Sequence, residues 1–138
     1  MPKAKRVEMA RRESRAYMGK AEQFLEAARA ASAAGQHDAA MLSAIHAAIS
    51  GTDAVTIALA GVRSSDPNHL LAADLLDEVG GHQGEVSAHA KQLRQLLGKK
   101  HAVEYGSGRA PAREANDALK RADRLVTWAR SVVDATKR

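Results

Sequence analysis

The chain contains no cysteine. This excludes a disulfide framework, a thiolate nucleophile and any cysteine-ligated metal centre. Aromatic residues make up only 3% of it, so a core has to be assembled mainly from aliphatic side chains. No apolar run reaches the roughly 18–20 residues of a bilayer span. Arginine and glutamate interrupt the N-terminal stretch throughout, unlike the apolar segment of a signal peptide. The expectation from these absences is a cytoplasmic protein with no membrane association, metal or cofactor.

What is present points to helices. Hydrophobic residues are 45% of 138, enough for one compact domain of ordinary size. Alanine dominates that set, and alanine is the best helix former. Because burial stabilises by roughly 25 cal/mol per Å² of apolar surface, small alanines contribute little each. The core is therefore expected to rest on Phe24, Leu25, Ile45, Ile49, Leu93, Leu97, Leu125, Val126 and Trp128.

The net charge of +5 is unevenly placed. Residues 1–15 carry Lys3, Lys5, Arg6, Arg11, Arg12 and Arg15 against Glu8 and Glu13, a net of +4. The other 123 residues hold 15 basic and 14 acidic groups, a net of +1. The chain thus reads as a basic N-terminal arm over 1–15, either free or a helical extension, followed by a nearly neutral helical domain over 16–138. Clustered cations suit phosphate contacts, and a solvated tail is the plainer alternative. No aromatic interleaves the arm, so base stacking is not expected there.

Five helical segments follow from the spacing of apolar residues. The first runs from about Ser14 to Ala34, with Tyr17, Ala21, Phe24, Leu25, Ala28 and Ala31 at three- and four-residue intervals, and stops at Gly35. The second begins near Asp38 as N-cap and continues to about Val62. It is apolar almost all round, the mark of a central helix. Asp66-Pro67 signals the start of the third, which ends at Gly80-Gly81. The fourth spans about Glu85 to Val103, and Pro111 opens the fifth. No stretch alternates long enough to be a strand. The fold expected is an all-α, up-and-down bundle of four to five helices with antiparallel neighbours.

The order of particular residues carries a resemblance. The helix AEQFLEAARAA precedes Gly35-Gln36-His37-Asp38, and Ala44-Ile45-His46-Ala47-Ala48-Ile49 with Asp53-Ala54 follows. Then come Asn68-His69 and Lys100-His101-Ala102-Val103-Glu104-Tyr105-Gly106 before a closing alanine-rich helix. Over about residues 16–135 the chain resembles the HEPN family of small helical bundles. The resemblance implies one of several roles: a metal-independent endoribonuclease, a toxin paired with a nucleotidyltransferase, or a non-catalytic binder of nucleotides or proteins. It also implies a homodimer. Fold alone does not choose among these.

Cutting members of that family place four to six residues between an arginine and a histidine. Arg94 and His101 are separated by six residues, which on a helix puts both on one face about 10 Å apart. His101 would act as general base on a 2′-hydroxyl and Arg94 would stabilise the charge on phosphorus. Aligning instead on Glu104-Tyr105-Gly106, where the family often has Arg-Asn-x-Ala-Glu-Tyr-Gly, sets Lys100 at the arginine and His101 at the asparagine. Under that alignment the motif is degraded and the spacing of Arg94 is coincidental.

Other polar residues are candidates for binding. His46 and Asp53 share a face of the most apolar helix, as a pocket or as a satisfied core pair. Glu104 and Tyr105, with Lys100, could orient a ligand at the mouth of the bundle. Trp128 fits either the core or a dimer surface. His69, His82 and His89 do not form a zinc-binding spacing. Two functions of different class fit these residues. The first is a non-enzymatic module that binds nucleic acid, a nucleotide or a partner protein through Lys100, Glu104, Tyr105, His46 and Asp53. The second is a toxin-like ribonuclease that uses Arg94 and His101.

Overall fold

The computed structural model describes residues 5–81 and 84–136; Lys3 of the arm and His82 lie outside the described residues. Along the chain come β1 (Arg6–Glu8), a 3-10 turn (Arg11–Glu13), α1 (Ser14–Ala33), α2 (His37–Ala60) and β2 (Val62–Ser64). Three further helices follow: α3 (Leu70–Val79), α4 (Gly84–Tyr105) and α5 (Ala112–Ala135).

The bundle is organised by α2. Fifteen of its 24 residues are buried, from Ala40 to Ala58, with no continuous polar face. A helix of this kind needs cover on several sides, and α1, α3, α4 and α5 all pack on it. By length and composition α2 also meets the requirements of a bilayer span, which corrects the sequence reading. In the fold, 67% of that stretch is buried against the other helices. The remaining helices are amphipathic. On α1 the buried stripe is Ser14, Met18, Ala21, Leu25 and Ala28, the three- and four-residue repeat of one helix face. On α5 it runs from Ala115 through Ala122, Leu125 and Ala129 to Val133.

Three expectations need correction. First, Phe24 is not core; it is 38% exposed, at the edge of the buried stripe of α1. Second, there is a sheet among the described residues. β1 pairs antiparallel with β2 in the register Arg6↔Ser64, Val7↔Arg63 and Glu8↔Val62. Part of the basic segment is thereby fixed to the bundle, and Arg6 reaches Glu78 at 2.8 Å. Third, α3 starts at Leu70 rather than at Pro67. Asp66 accepts a hydrogen bond from the Asn68 N–H at 2.9 Å, and Asn68 accepts one from the Leu70 N–H at 3.1 Å. Two side chains that turn the backbone locally postpone the helix.

Two glycines let elements meet closely. Gly61 ends α2 at φ +65°, and a Cβ there would lie 3.0 Å from the Met9 carbonyl oxygen. The carbonyl of Gly61 accepts from the Met9 N–H at 2.8 Å, which holds the N-terminal segment against the bundle. Within α2, a Cβ on Gly51 would lie 3.1 Å from Leu125 Cδ2, so this position lets α5 approach the central helix. Filling a packed contact typically costs about 1–3 kcal/mol. Gly51→Val is expected to lower the urea midpoint by that amount of stability, and an unchanged midpoint would contradict the close approach.

Candidate functional site

The C-terminal end of α4 gathers polar groups from three parts of the chain. Lys100 and Glu104 lie one turn apart on α4 and form an ion pair of 2.6 Å. Their charges act on His46 of α2 and on His69 of the loop before α3. Both imidazoles are held below their ordinary pKa, first by burial and then by the Lys100 charge. They are therefore neutral near pH 7, each able to accept as well as donate a hydrogen bond. Glu104 is held below the usual carboxylate range, chiefly by its hydrogen bond from Lys100 and then by the Tyr105 hydroxyl.

Aromatic and apolar side chains frame this cluster. Phe24 packs on the ring of His46, with centroids 5.5 Å apart. Tyr105 is 72% exposed and lies 5.1 Å from the ring of His101. Leu70, beside His69, is 44% exposed. Of the large hydrophobics exposed among the described residues, only Val7 is not part of this frame.

Asp53 stands two turns along α2 from His46. It is 9% exposed, and burial pushes its pKa up to about 7 against the lowering influence of Arg63 and Lys20. Those two cations sit over the ring of Tyr17, with Lys20 Nζ at 4.9 Å and the Arg63 guanidinium at 5.5 Å from its centroid. Tyr17 with Lys20 and Arg63, Phe24 with His46, and Tyr105 with the Lys100–Glu104 pair thus form a band of aromatic and polar groups.

The proposed catalytic pair is placed differently. Arg94 points at α3 and makes ion pairs of 2.8 Å with both Asp74 and Asp77. Asp77 is buried, and Arg94 is the cation that accompanies it into the bundle. His101 is exposed, and its ring contact is with Tyr105. Of the basic segment, Lys5 is tied in place: its carbonyl accepts from the Ser65 N–H at 2.9 Å, close to the loop that carries His69. Arg6 is paired with Glu78, while Arg11, Arg12 and Arg15 are exposed. Trp128 is 9% exposed and stacks on His89, with centroids 4.2 Å apart and planes 14° from parallel.

Among the binding candidates, the structure brings His46, Lys100, Glu104 and Tyr105 to one end of the bundle, and Asp53 lies further along the same helix. Sequence reasoning missed His69 as a member of the cluster and Phe24 as its exposed neighbour. The cue for His69 was its place after Asp66-Pro67-Asn68, three residues that build a tight turn.

A family model described as the HEPN domain matches residues 14–132. No curated protein matches the chain.

Two predictions test this geometry. Asp53 has a folded pKa of about 7, against 3.8 ordinarily. Its raised value means that the native state holds this proton while the unfolded chain has lost it. The contribution to stability is fully present below about pH 4 and is lost as the pH rises through 7. Asp53→Asn is therefore expected to be more stable than the parent at about pH 8, by up to a few kcal/mol. In urea titrations at both pH values that margin should shrink towards pH 4, and a margin independent of pH contradicts the assignment. Arg94→Ala leaves Asp77 buried without its cation and is expected to cost about 2 kcal/mol, whereas His101→Ala should stay within about 0.5 kcal/mol. Equal, small effects would remove the structural role of Arg94.

Proposed function

Because the chain belongs to the HEPN domain family, whose model spans residues 14–132, we propose that it is a non-enzymatic module that binds single-stranded RNA. The observation that carries this reading is the meeting of His46, His69, Lys100 and Glu104 at one end of the bundle, framed by exposed Phe24 and Tyr105. Single strands are held by cations that follow the phosphates and by aromatic faces on which bases stack, each worth about 1–3 kcal/mol. The band from Tyr17 to Tyr105 has both kinds of group, with Lys20 and Arg63 as its cations and Lys100 held by Glu104 at its far end. Neutral imidazoles at His46 and His69 add hydrogen-bonding groups for base edges or ribose hydroxyls.

The bonding of Arg94 supports binding over cutting. General acid–base cleavage needs a free guanidinium for the charge that develops on phosphorus. Here that charge is already matched by Asp74 and Asp77. The ribonuclease reading rests on the exposure of His101 beside Tyr105 and is the alternative outcome of the same experiment.

Labelled mixed-sequence single-stranded RNA is titrated in EDTA and followed by fluorescence anisotropy and by gel. Saturable binding without cleavage is expected. Lys20→Gln should weaken binding and reduce the salt slope by about 0.7, the value for one phosphate contact on a single strand. Tyr105→Ala should weaken it by roughly five- to a hundredfold, as one lost stack. Absence of binding, or affinities that neither variant changes, would overturn the proposal. Cleavage by the parent that is lost in His101→Ala would establish the ribonuclease instead.

A further inference from the structure

Beside the last turns of α4, the chain turns to join α5 and leaves an open cleft of about 410 Å³. We propose that this cleft is a second ligand site, for a small organic monoanion with an apolar body. Its volume falls within the roughly 300–1,000 Å³ of small-molecule pockets. Its floor and inner wall are apolar, formed by Met41 of α2, Ala102 and Val103 of α4, and Pro111. The outer wall is anchored, since the Ala110 N–H donates to Asp38 Oδ1 at 2.7 Å.

The rim selects the charge. Lys99 and Glu114 pair across it at 3.1 Å and so largely cancel. Arg109 also lines the cleft and is exposed, with no hydrogen bond or ion pair among the described residues. An anionic head on Arg109, with its body against Val103 and Pro111, meets the unpaired cation of the lining and its apolar wall together, while the Asp38 carboxylate behind the outer wall is held by the Ala110 N–H. A guanidinium favours a planar or branched oxyanion such as a carboxylate or sulfonate.

Gly98 leaves the entrance open. It stands within α4, where glycine weakens a helix relative to alanine, and a Cβ at this position would meet nothing within 4 Å. No close packing therefore requires glycine here, and the missing side chain leaves room over the cleft. The lining of the cleft includes none of His46, His69, Lys100, Glu104 and Tyr105, and on α4 residues 98 and 102 lie about 200° around the helix from 100 and 104. The cleft therefore shares no lining residue with the His46–Lys100 cluster, and its ligand is tested without RNA.

The test uses anilinonaphthalene sulfonate, an aromatic body with a single anionic head, titrated into the full chain and followed by fluorescence. One saturable site per chain is expected. Gly98→Leu should weaken it at least about tenfold by occupying the entrance, while Gly98→Ala should retain it. Arg109→Glu should also weaken it about tenfold or more through loss of the charged hydrogen bond. Arg109 is exposed, so this variant keeps the test decisive even if Gly98→Leu fails to fold. Circular dichroism checks the fold of each variant. Absence of saturable binding, or an affinity unchanged in the folded Gly98→Leu or Arg109→Glu chains, would overturn the site.

Discussion

The central helix has no polar face to turn to water, and the rest of the structure answers that constraint. Ala44, Ile45, Ala48, Val55 and Ile57 of α2 are 0% exposed or close to it, and they point in different directions around the axis. Burial on all sides forces α1, α3, α4 and α5 to enclose it. Alanine allows this enclosure, because small side chains let helix axes approach. Gly51 is the extreme case, where the side chain of Leu125 packs directly on the α2 backbone.

The same constraint produces the site. Polar residues carried by a helix that must be buried are drawn out of water with it. His46 is thereby kept neutral and Asp53 has its pKa raised to about 7. Where α2 passes the end of α4, its cover is incomplete. Lys100, Glu104 and His69 close the gap with polar groups, and Phe24 and Tyr105 stand exposed beside it. Half-buried imidazoles without charge, the Lys100–Glu104 ion pair and two aromatic faces form the surface on which the proposed binding rests. Arg94 is the counter-example: its guanidinium compensates two α3 carboxylates, a structural use for a residue whose spacing suggests catalysis.

Much of the fold is legible in the order of residues. The three- and four-residue repeats mark all five helices, and the unbroken apolar character of α2 marks the centre. What could not be read depends on contacts distant in sequence or on local competition. The pairing of Arg6–Glu8 with Val62–Ser64 spans three residues, too few for alternation to show. The start of α3 shifted because Asp66 and Asn68 bond to nearby N–H groups, and caps and turns use the same residue types. Phe24 fits the apolar repeat of α1, but only its packing shows that it lies at the margin. At the site, His46, Lys100, Glu104 and Tyr105 were legible as polar residues on core-facing or helix-end positions. The inclusion of His69, and the bonding of Arg94 to Asp74 and Asp77, required the packing of α3 against α4.

Amide chemical-shift mapping by NMR during titration with single-stranded RNA tests the central claim most directly. The account predicts that shifts concentrate at Phe24, His46, His69 and residues 100–105, with weaker changes at Tyr17 and Arg63. Shifts confined to the Trp128–His89 face or to Arg11, Arg12 and Arg15, with His46 and Lys100 unmoved, would contradict it.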